Sequence, residues 1–161
     1  MNKIELKKCK LDTWNENKKL EATRALNNAH TLDKRHFRAG SIFWADLGEN
    51  VGYEINKNRP VLILSGEHFN RGTATVAPLT GSGRLDCPEK ITKTQFIVHK
   101  NDIQQLSLDY ADKIRDASLV KVEQVRTISA ARIGGKIGYI STDQFEKIKL
   151  RVRTLFNLKI N

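Results

Sequence analysis

Three side chains in the middle of the chain have the types and spacing to act on a phosphodiester: Glu54, Arg59 and Thr80. Glu54 and Arg59 belong to the stretch GENVGYEINKNRPVLIL, in which a polar loop, Gly48 to Asn58, runs into Arg-Pro and four aliphatic residues. Such a loop stays at a surface, because burying it would leave backbone N–H and C=O groups unpaired. Thr80 closes the next apolar run, TATVAPLT. If the two runs pair as antiparallel strands, the start of one and the end of the other share a sheet edge, and Arg59 approaches Thr80 there. A guanidinium grips two phosphate oxygens in a fork, and a hydroxyl donates a further bond. A nearby carboxylate can take the proton of a ribose 2′-OH, leaving the protein to stabilise a dianionic phosphorane. On the residues alone this is an anion site, and a structural salt bridge for Arg59 accounts for them equally well.

The elements that would position these groups alternate short apolar runs with turn residues. Ser41 to Leu47, SIFWADL, reads as a strand apolar on both faces, and its Trp44 is a core residue before it is a base-stacking platform. Pro60 to Ser65 and Thr73 to Thr80 are the next strands, with Pro78 suggesting an edge or a last paired position. Gln95 to His99 is a short strand, Lys100 to Asp116 has no clear form, and Ala117 to Ile128 is one long strand or two with a kink. The glycines of RIGGKIGYI, Arg132 to Ile140, suggest a hairpin-like return. Ser141 begins a capping box with Gln144, and Phe145, Ile148, Val152, Leu155 and Phe156 form a helical stripe. The pattern predicts a mostly β, α+β domain: a small curled sheet or barrel with a C-terminal amphipathic helix.

Ahead of this domain, residues 1–36 read as a basic extension. Residues 1–10 show no period and are expected to be a flexible lead-in; residues 12–29 are expected to be helical through Trp14, Ala22, Ala25, Leu26 and Ala29; residues 30–39 look like a linker. The compact domain is expected over 37–161. Net charge is +10, distributed as +5 over residues 1–38, +3 over 141–161 and +2 in between. That placement suits a polyanion partner or a solvated helix face. Hydrophobic residues make up 39% and charged residues 29%, a globular composition, and no apolar run nears the roughly 18 residues of a membrane span. The first ten residues lack the apolar core of a secretory signal, so a cytoplasmic protein without membrane attachment is expected. Cys9 and Cys87 lack ligand spacing and read as reduced thiols. His30, His36, His68 and His99 form no metal-binding motif, and neither GxSxG nor a phosphate-binding GxxxxGK[ST] occurs. No metal or cofactor is expected.

From Gly40 onward, GSIFWADLGENVGYE, NRPVLILS, TATVAPLT, KVEQVRTI and RIGGKIGYIS resemble, in order, the MazF/PemK family of toxins that cleave mRNA. The resemblance implies an SH3-like β-barrel, a homodimer, silencing by a cognate antitoxin, and metal-independent cleavage of single-stranded RNA to 2′,3′-cyclic phosphate and 5′-OH ends. It assigns Arg59 to stabilising the phosphorane, Thr80 to holding the scissile phosphate, and Glu54 to the acidic position of a G-S-E-Q loop. That loop departs from the pattern: Tyr53 replaces the usual Ser and Ile55 the usual Gln. Residues 52–57 are expected to choose the RNA, with Tyr53, Ile55, Asn56 and Lys57 in contact and Tyr53 suited to stacking on a base. Asn70 and Arg71 match a further RNA-facing position. Gln124 and Arg126 match a strand expected to be structural or dimer-related. A gyrase-binding toxin of the CcdB type, which shares the barrel, is the alternative; such a binder has no need of Arg59, Thr80 and Glu54.

Overall fold

The computed structural model describes residues 2–83 and 85–159. Met1, Arg84, Ile160 and Asn161, which belong to the expected lead-in, the loop after Thr80 and the chain end, lie outside the described residues. Seven antiparallel strands form one curled sheet: β1 Ser41–Asp46, β2 Asn58–Ile63, β3 Thr73–Thr80, β4 Gln95–His99, β5 Ala117–Lys121, β6 Arg126–Ser129 and β7 Ile133–Tyr139. The spatial order is β4-β5-β3-β2-β1-β7, with β6 paired to β3. The two ends of that order are drawn together by the chain after β4, since Gln104 bridges Tyr139 and Ser107 N–H donates to the Ile137 carbonyl at 2.7 Å.

Both faces of the central strands are buried, as their uninterrupted apolar runs require. Ile42, Leu62, Ala77, Leu79 and Val120 point to one core, which Ile148 of the C-terminal helix helps to fill. Phe43, Ala45, Val61, Ile63 and Val76 point to the other, beside Phe37 and Ile128. Strand β3 is central: β2 pairs with it on one side from Val76 to Pro78, and on the other side β6 pairs up to Val76 before β5 takes over at Leu79. Pro78 stands in the gap between those partners, where a missing N–H interrupts no ladder on that side. The segment 117–128 is two strands, split at a single 3₁₀ turn, Val122–Gln124.

Four sequence expectations change. The glycine-rich run is a single strand, β7, and its glycines give room instead of turning the chain. Any Cβ at Gly138 would lie 2.5 Å from Ile103 Cγ2 and 2.7 Å from the Gln104 carbonyl oxygen. The N-terminal lead-in is helical: α1 spans Lys3–Asn27, capped by the Asn2 side chain accepting from Glu5 N–H at 2.9 Å. Its inward residues are Lys7, Leu11, Trp14, Glu21 and Ala25, spaced four, three, seven and four apart along one side of the helix, while Ala22, Leu26 and Ala29 are exposed. The expected linker is docked. It contains α2, Ala29–Asp33, and Arg35, whose guanidinium donates to the carbonyls of Ala130 and Gly134 at 2.8 Å each, and also to that of Ile133.

A short helix α3, Leu108–Ala111, precedes β5, and α4, Thr142–Leu155, ends the fold. Ser141 and Gln144 close the expected capping box. Phe145, Val152 and Leu155 pack on the core with Ile148, whereas Phe156 at the C-cap is exposed. Among the described residues no helix is long and apolar enough to cross a membrane. Gly138→Ala is expected to destabilise the fold by about 2 kcal/mol through overpacking, because one of the clashing atoms is backbone and cannot rotate away. Urea unfolding of the variant against the parent checks this.

Candidate functional site

The pairing of β2 with β3 places Val61 opposite Pro78, Leu62 opposite Ala77 and Ile63 opposite Val76. Continued two residues outward, the same register sets Arg59 across from Thr80. Their side chains meet: Arg59 Nη1 donates to Thr80 Oγ1 at 3.3 Å. Arg59 Nε is engaged separately, donating to the Asn56 carbonyl at 2.7 Å, which leaves Nη1 as the arm turned toward Thr80. Thr80 is buried, and its Oγ1 also accepts from Ser82 N–H at 3.2 Å and lies 2.8 Å from Ser82 Oγ.

Two further groups join this cluster and were not singled out from the sequence. Ser82 is exposed and presents its hydroxyl at the outer side of Thr80. Arg115, from the segment before β5, donates from Nη1 to the Gly81 carbonyl at 3.3 Å. Its aliphatic stem crosses Gly81 so closely that a Cβ there would sit 2.1 Å from Arg115 Cδ. Two guanidinium groups and two hydroxyls therefore converge on Thr80–Ser82. Sequence alone held one weak pointer to Arg115: a cation preceding a strand that could pair with β3.

The loop between β1 and β2 is held at several points. Gln124 Oε1 accepts from Ile55 N–H at 3.1 Å, Gln124 Nε2 donates to the Tyr53 carbonyl at 3.3 Å, and Arg126 Nη2 donates to the Ile55 carbonyl at 3.1 Å. Gln124 and Arg126 are thus loop anchors. Burial draws the Arg126 guanidinium below its ordinary pKa, against the opposing pull of the Glu54 charge. Lys57, at φ +69°, donates its N–H to the Gly48 carbonyl at 2.7 Å and closes the loop stem. Helix α1 touches the other side: Trp14 packs on Gly48, and Lys7 Nζ bonds both the Glu49 carboxylate and the Asn50 carbonyl.

The remaining predicted contacts divide. Tyr53 stands fully in solvent at the loop tip, and Lys57 is exposed. Glu54 is exposed, and its carboxylate accepts from Val51 N–H at 3.4 Å; it stands outside the Arg59–Thr80 hydrogen bonds. Asn56 uses its carbonyl to hold Arg59. Ile55 is half-buried, and its side chain packs against the second apolar core. Asn70 is placed in the interior, away from Thr80. It is 3% exposed, its amide donates to the carbonyls of Phe37 at 2.6 Å and Ser65 at 3.1 Å, and its oxygen accepts from Ser65 Oγ. Asn70 and its neighbour Arg71, which is exposed, lie at the far end of the β2–β3 hairpin, roughly 20–25 Å of strand from Thr80. Trp44 is half-buried and stacks on Tyr110, with ring centroids 6.1 Å apart, as a packing residue would.

Comparison with known proteins decides the family. Residues 38–156 match the family described as PemK-like, MazF-like toxin of type II toxin-antitoxin systems. The chain belongs to that toxin family. It is similar to the endoribonuclease EndoA of Bacillus subtilis strain 168, with 30% identity over 114 residues that cover 69% of this chain and 86% of that one. Its fold is similar to the Mycobacterium tuberculosis toxin MazF-mt6, with a TM-score of 0.55, 24% identity and coverage of 74% of this chain and 99% of that one. A Deinococcus radiodurans MazF is alike in fold, with a TM-score of 0.57, 16% identity and coverage of 78% of this chain and 100% of that one. Helices α1 and α2 of the toxin precede the matched residues.

Acid should act on the α1–loop contact through two carboxylates whose pKa values are shifted in opposite directions. The hydrogen bond from Lys7, helped by the charges of Lys7 and Lys10 and by Asn56, holds Glu49 below the usual carboxylate range despite some desolvation. Its stabilisation is therefore full above about pH 4.3 and is lost as pH falls through the lower folded value. Glu21 goes the other way: burial and the nearby Asp46 raise it, against Arg132 and Arg24. Its protonation on mild acidification removes a penalty. In a Trp44→Phe toxin, the fluorescence of Trp14 is expected to report docking that holds or tightens down to about pH 4.5 and loosens below it. Lys7→Ala is expected to remove the lower transition.

Proposed function

We propose that this chain is a metal-independent endoribonuclease that cuts single-stranded RNA, the toxin partner of a cognate antitoxin. The observation that carries the reading is the convergence of Arg59, Thr80, Ser82 and Arg115 on one short segment, together with membership of the toxin family and likeness to EndoA. A phosphate entering there takes over donors that in the free protein satisfy one another. Arg59 Nη1 turns from Thr80 to a non-bridging oxygen, the Thr80 and Ser82 hydroxyls donate to the phosphate, and Arg115 adds positive charge beside them.

Glu54 serves as the base. Among the described residues it has no ion pair within 4.0 Å, so its carboxylate is available to accept the 2′-OH proton. The 2′ oxygen forms a bond to phosphorus, and Arg59 and Thr80 stabilise the dianionic phosphorane. The P–O5′ bond then breaks, and the leaving oxygen, hydrogen-bonded by Arg59, takes a proton from water. The products are a 2′,3′-cyclic phosphate and a free 5′-OH. Tyr53 and Lys57, exposed on the loop, contact the flanking nucleotides. The reading also takes a homodimer as the working form and the cytoplasm as the place where mRNA is met. A gyrase-binding role gains nothing from a cluster of phosphate donors.

Wild-type protein incubated with mixed-sequence RNA and EDTA is expected to leave cyclic-phosphate and 5′-OH ends. Arg59→Ala is expected to lower turnover by about 10³-fold or more, and Glu54→Gln by about 10²-fold. Arg115→Ala should weaken RNA binding and make its salt dependence shallower by about 0.7 in the log–log slope, the signature of one lost phosphate contact on a single strand. Undiminished cleavage by Arg59→Ala would falsify the mechanism.

A further inference from the structure

Helix α1 precedes the residues shared with the family, which begin at 38, and its docking is unusual. None of its residues is buried, so it does not lie on the sheet to complete an apolar core. Its inward side instead meets the stem of the β1–β2 loop. Trp14 packs against Gly48, where φ is +77° and a Cβ would lie 2.4 Å from the indole ring. The Arg132 guanidinium stands 5.2 Å from the Trp14 ring centroid and donates from Nε to the carbonyl of Asp46, the last residue of β1, at 2.9 Å. Glu21 approaches that same guanidinium at 4.0 Å. Two turns before Trp14, Lys7 bonds the Glu49 carboxylate and the Asn50 carbonyl. Three successive loop residues, Gly48 to Asn50, are therefore touched by one helix.

Hydrogen bonds inside the loop carry that contact onward. The Gly48 carbonyl accepts from Lys57 N–H at 2.7 Å, and the Asn50 amide donates to the carbonyls of Leu47 at 3.0 Å and Ile55 at 2.6 Å. The Asn56 carbonyl, between Ile55 and Lys57, is the acceptor that orients Arg59. Contacts made by α1 at 48–50 thus bear on 55–57 and, one hydrogen bond later, on the guanidinium.

We infer that α1 is a brace for the substrate loop: Trp14 and Lys7 are positioning residues that fix residues 48–57, and through them the RNA sequences that are accepted. The inference rests on the endoribonuclease reading for its RNA consequence, but the brace has a readout of its own. Amide hydrogen exchange of the full chain is expected to speed up about tenfold or more over residues 48–57 in Trp14→Ala and Lys7→Ala, with β2 and β3 unchanged. In the same variants the ratio of cleavage at the preferred RNA site to that at the next-best site is expected to fall about fivefold or more, because a shift of an ångström in a positioning loop is enough for such a change. Trp14→Phe is expected to restore most of that ratio. Trp14→Ala and Lys7→Ala combined are expected to speed loop exchange beyond either variant alone, because the two side chains hold different loop residues, Gly48 and Glu49–Asn50.

Lys7 is a partly exposed position, so its variant serves should Trp14→Ala fail to fold. Loop exchange equal to wild type in Lys7→Ala would overturn the brace, whatever the RNA assay gives. Faster exchange with unchanged cleavage ratios would overturn its part in selectivity. Wild-type protein that cuts no RNA would refute the nuclease reading and the selectivity claim together, while the exchange data would still decide the brace.

Discussion

The antiparallel register of β2 on β3 is the constraint that the site depends on. With Val61 opposite Pro78, Arg59 and Thr80 fall on the same face at the same end of the hairpin. A slip of β3 by one residue would turn Thr80 to the opposite face and set Val76, Ala77 and Leu79 against the wrong cores. Because both faces of these strands are buried, two apolar cores resist that slip simultaneously, and each aliphatic displaced would forfeit about 1.5–3 kcal/mol of burial. Pro60 adds a local restraint, since the residue before a proline is biased to extended backbone, the conformation Arg59 adopts at the start of β2. The reacting pair is thus held by the same packing that holds the domain.

Around that fixed pair the structure grades from rigid to adjustable. Thr80 is buried in a central strand; Arg59 is half-buried and bonded to a loop carbonyl; Tyr53 and Glu54 are fully or largely in water. The loop's backbone is nonetheless well supplied with partners, from Gln124 and Arg126 on one side and Lys7 and Trp14 on the other. Lys57 in the left-handed region shows that these partners over-determine the stem, because a non-glycine residue there costs on the order of 1 kcal/mol. Side chains at the tip can vary while the backbone path stays the same.

How far the sequence could be read follows from which residues carry local patterns. Arg59 and Thr80 were legible because they sit at the ends of apolar runs, and Ser141 with its stripe announced α4 without tertiary information. Helix α1 was legible only in part. Its inward positions are Lys7, Leu11, Trp14, Glu21 and Ala25, a mixture of charged, aromatic and small residues with no apolar period to detect. The glycines of β7 looked like turn residues because their purpose, room for Trp44 at Gly134, Tyr110 at Gly135, and Ile103 and Gln104 at Gly138, comes from residues distant in the chain. Asn70 looked like a surface contact because nothing in EHFNRG shows that Phe37 will offer it a carbonyl. Arg115 and Ser82 were invisible for a similar reason: their convergence exists only after β5 pairs with the end of β3.

A helix that docks without burying any residue is also cheap to release. Its detachment uncovers the edge of one indole, frees a few polar contacts and leaves both apolar cores intact. Few buried apolar contacts are the mark of an element that opens locally while the sheet stays closed. A protease that trims exposed helices would meet it first, and the product would be a molecule of the size its family relatives share. Release would stop short of Phe37, which is fully buried in the core.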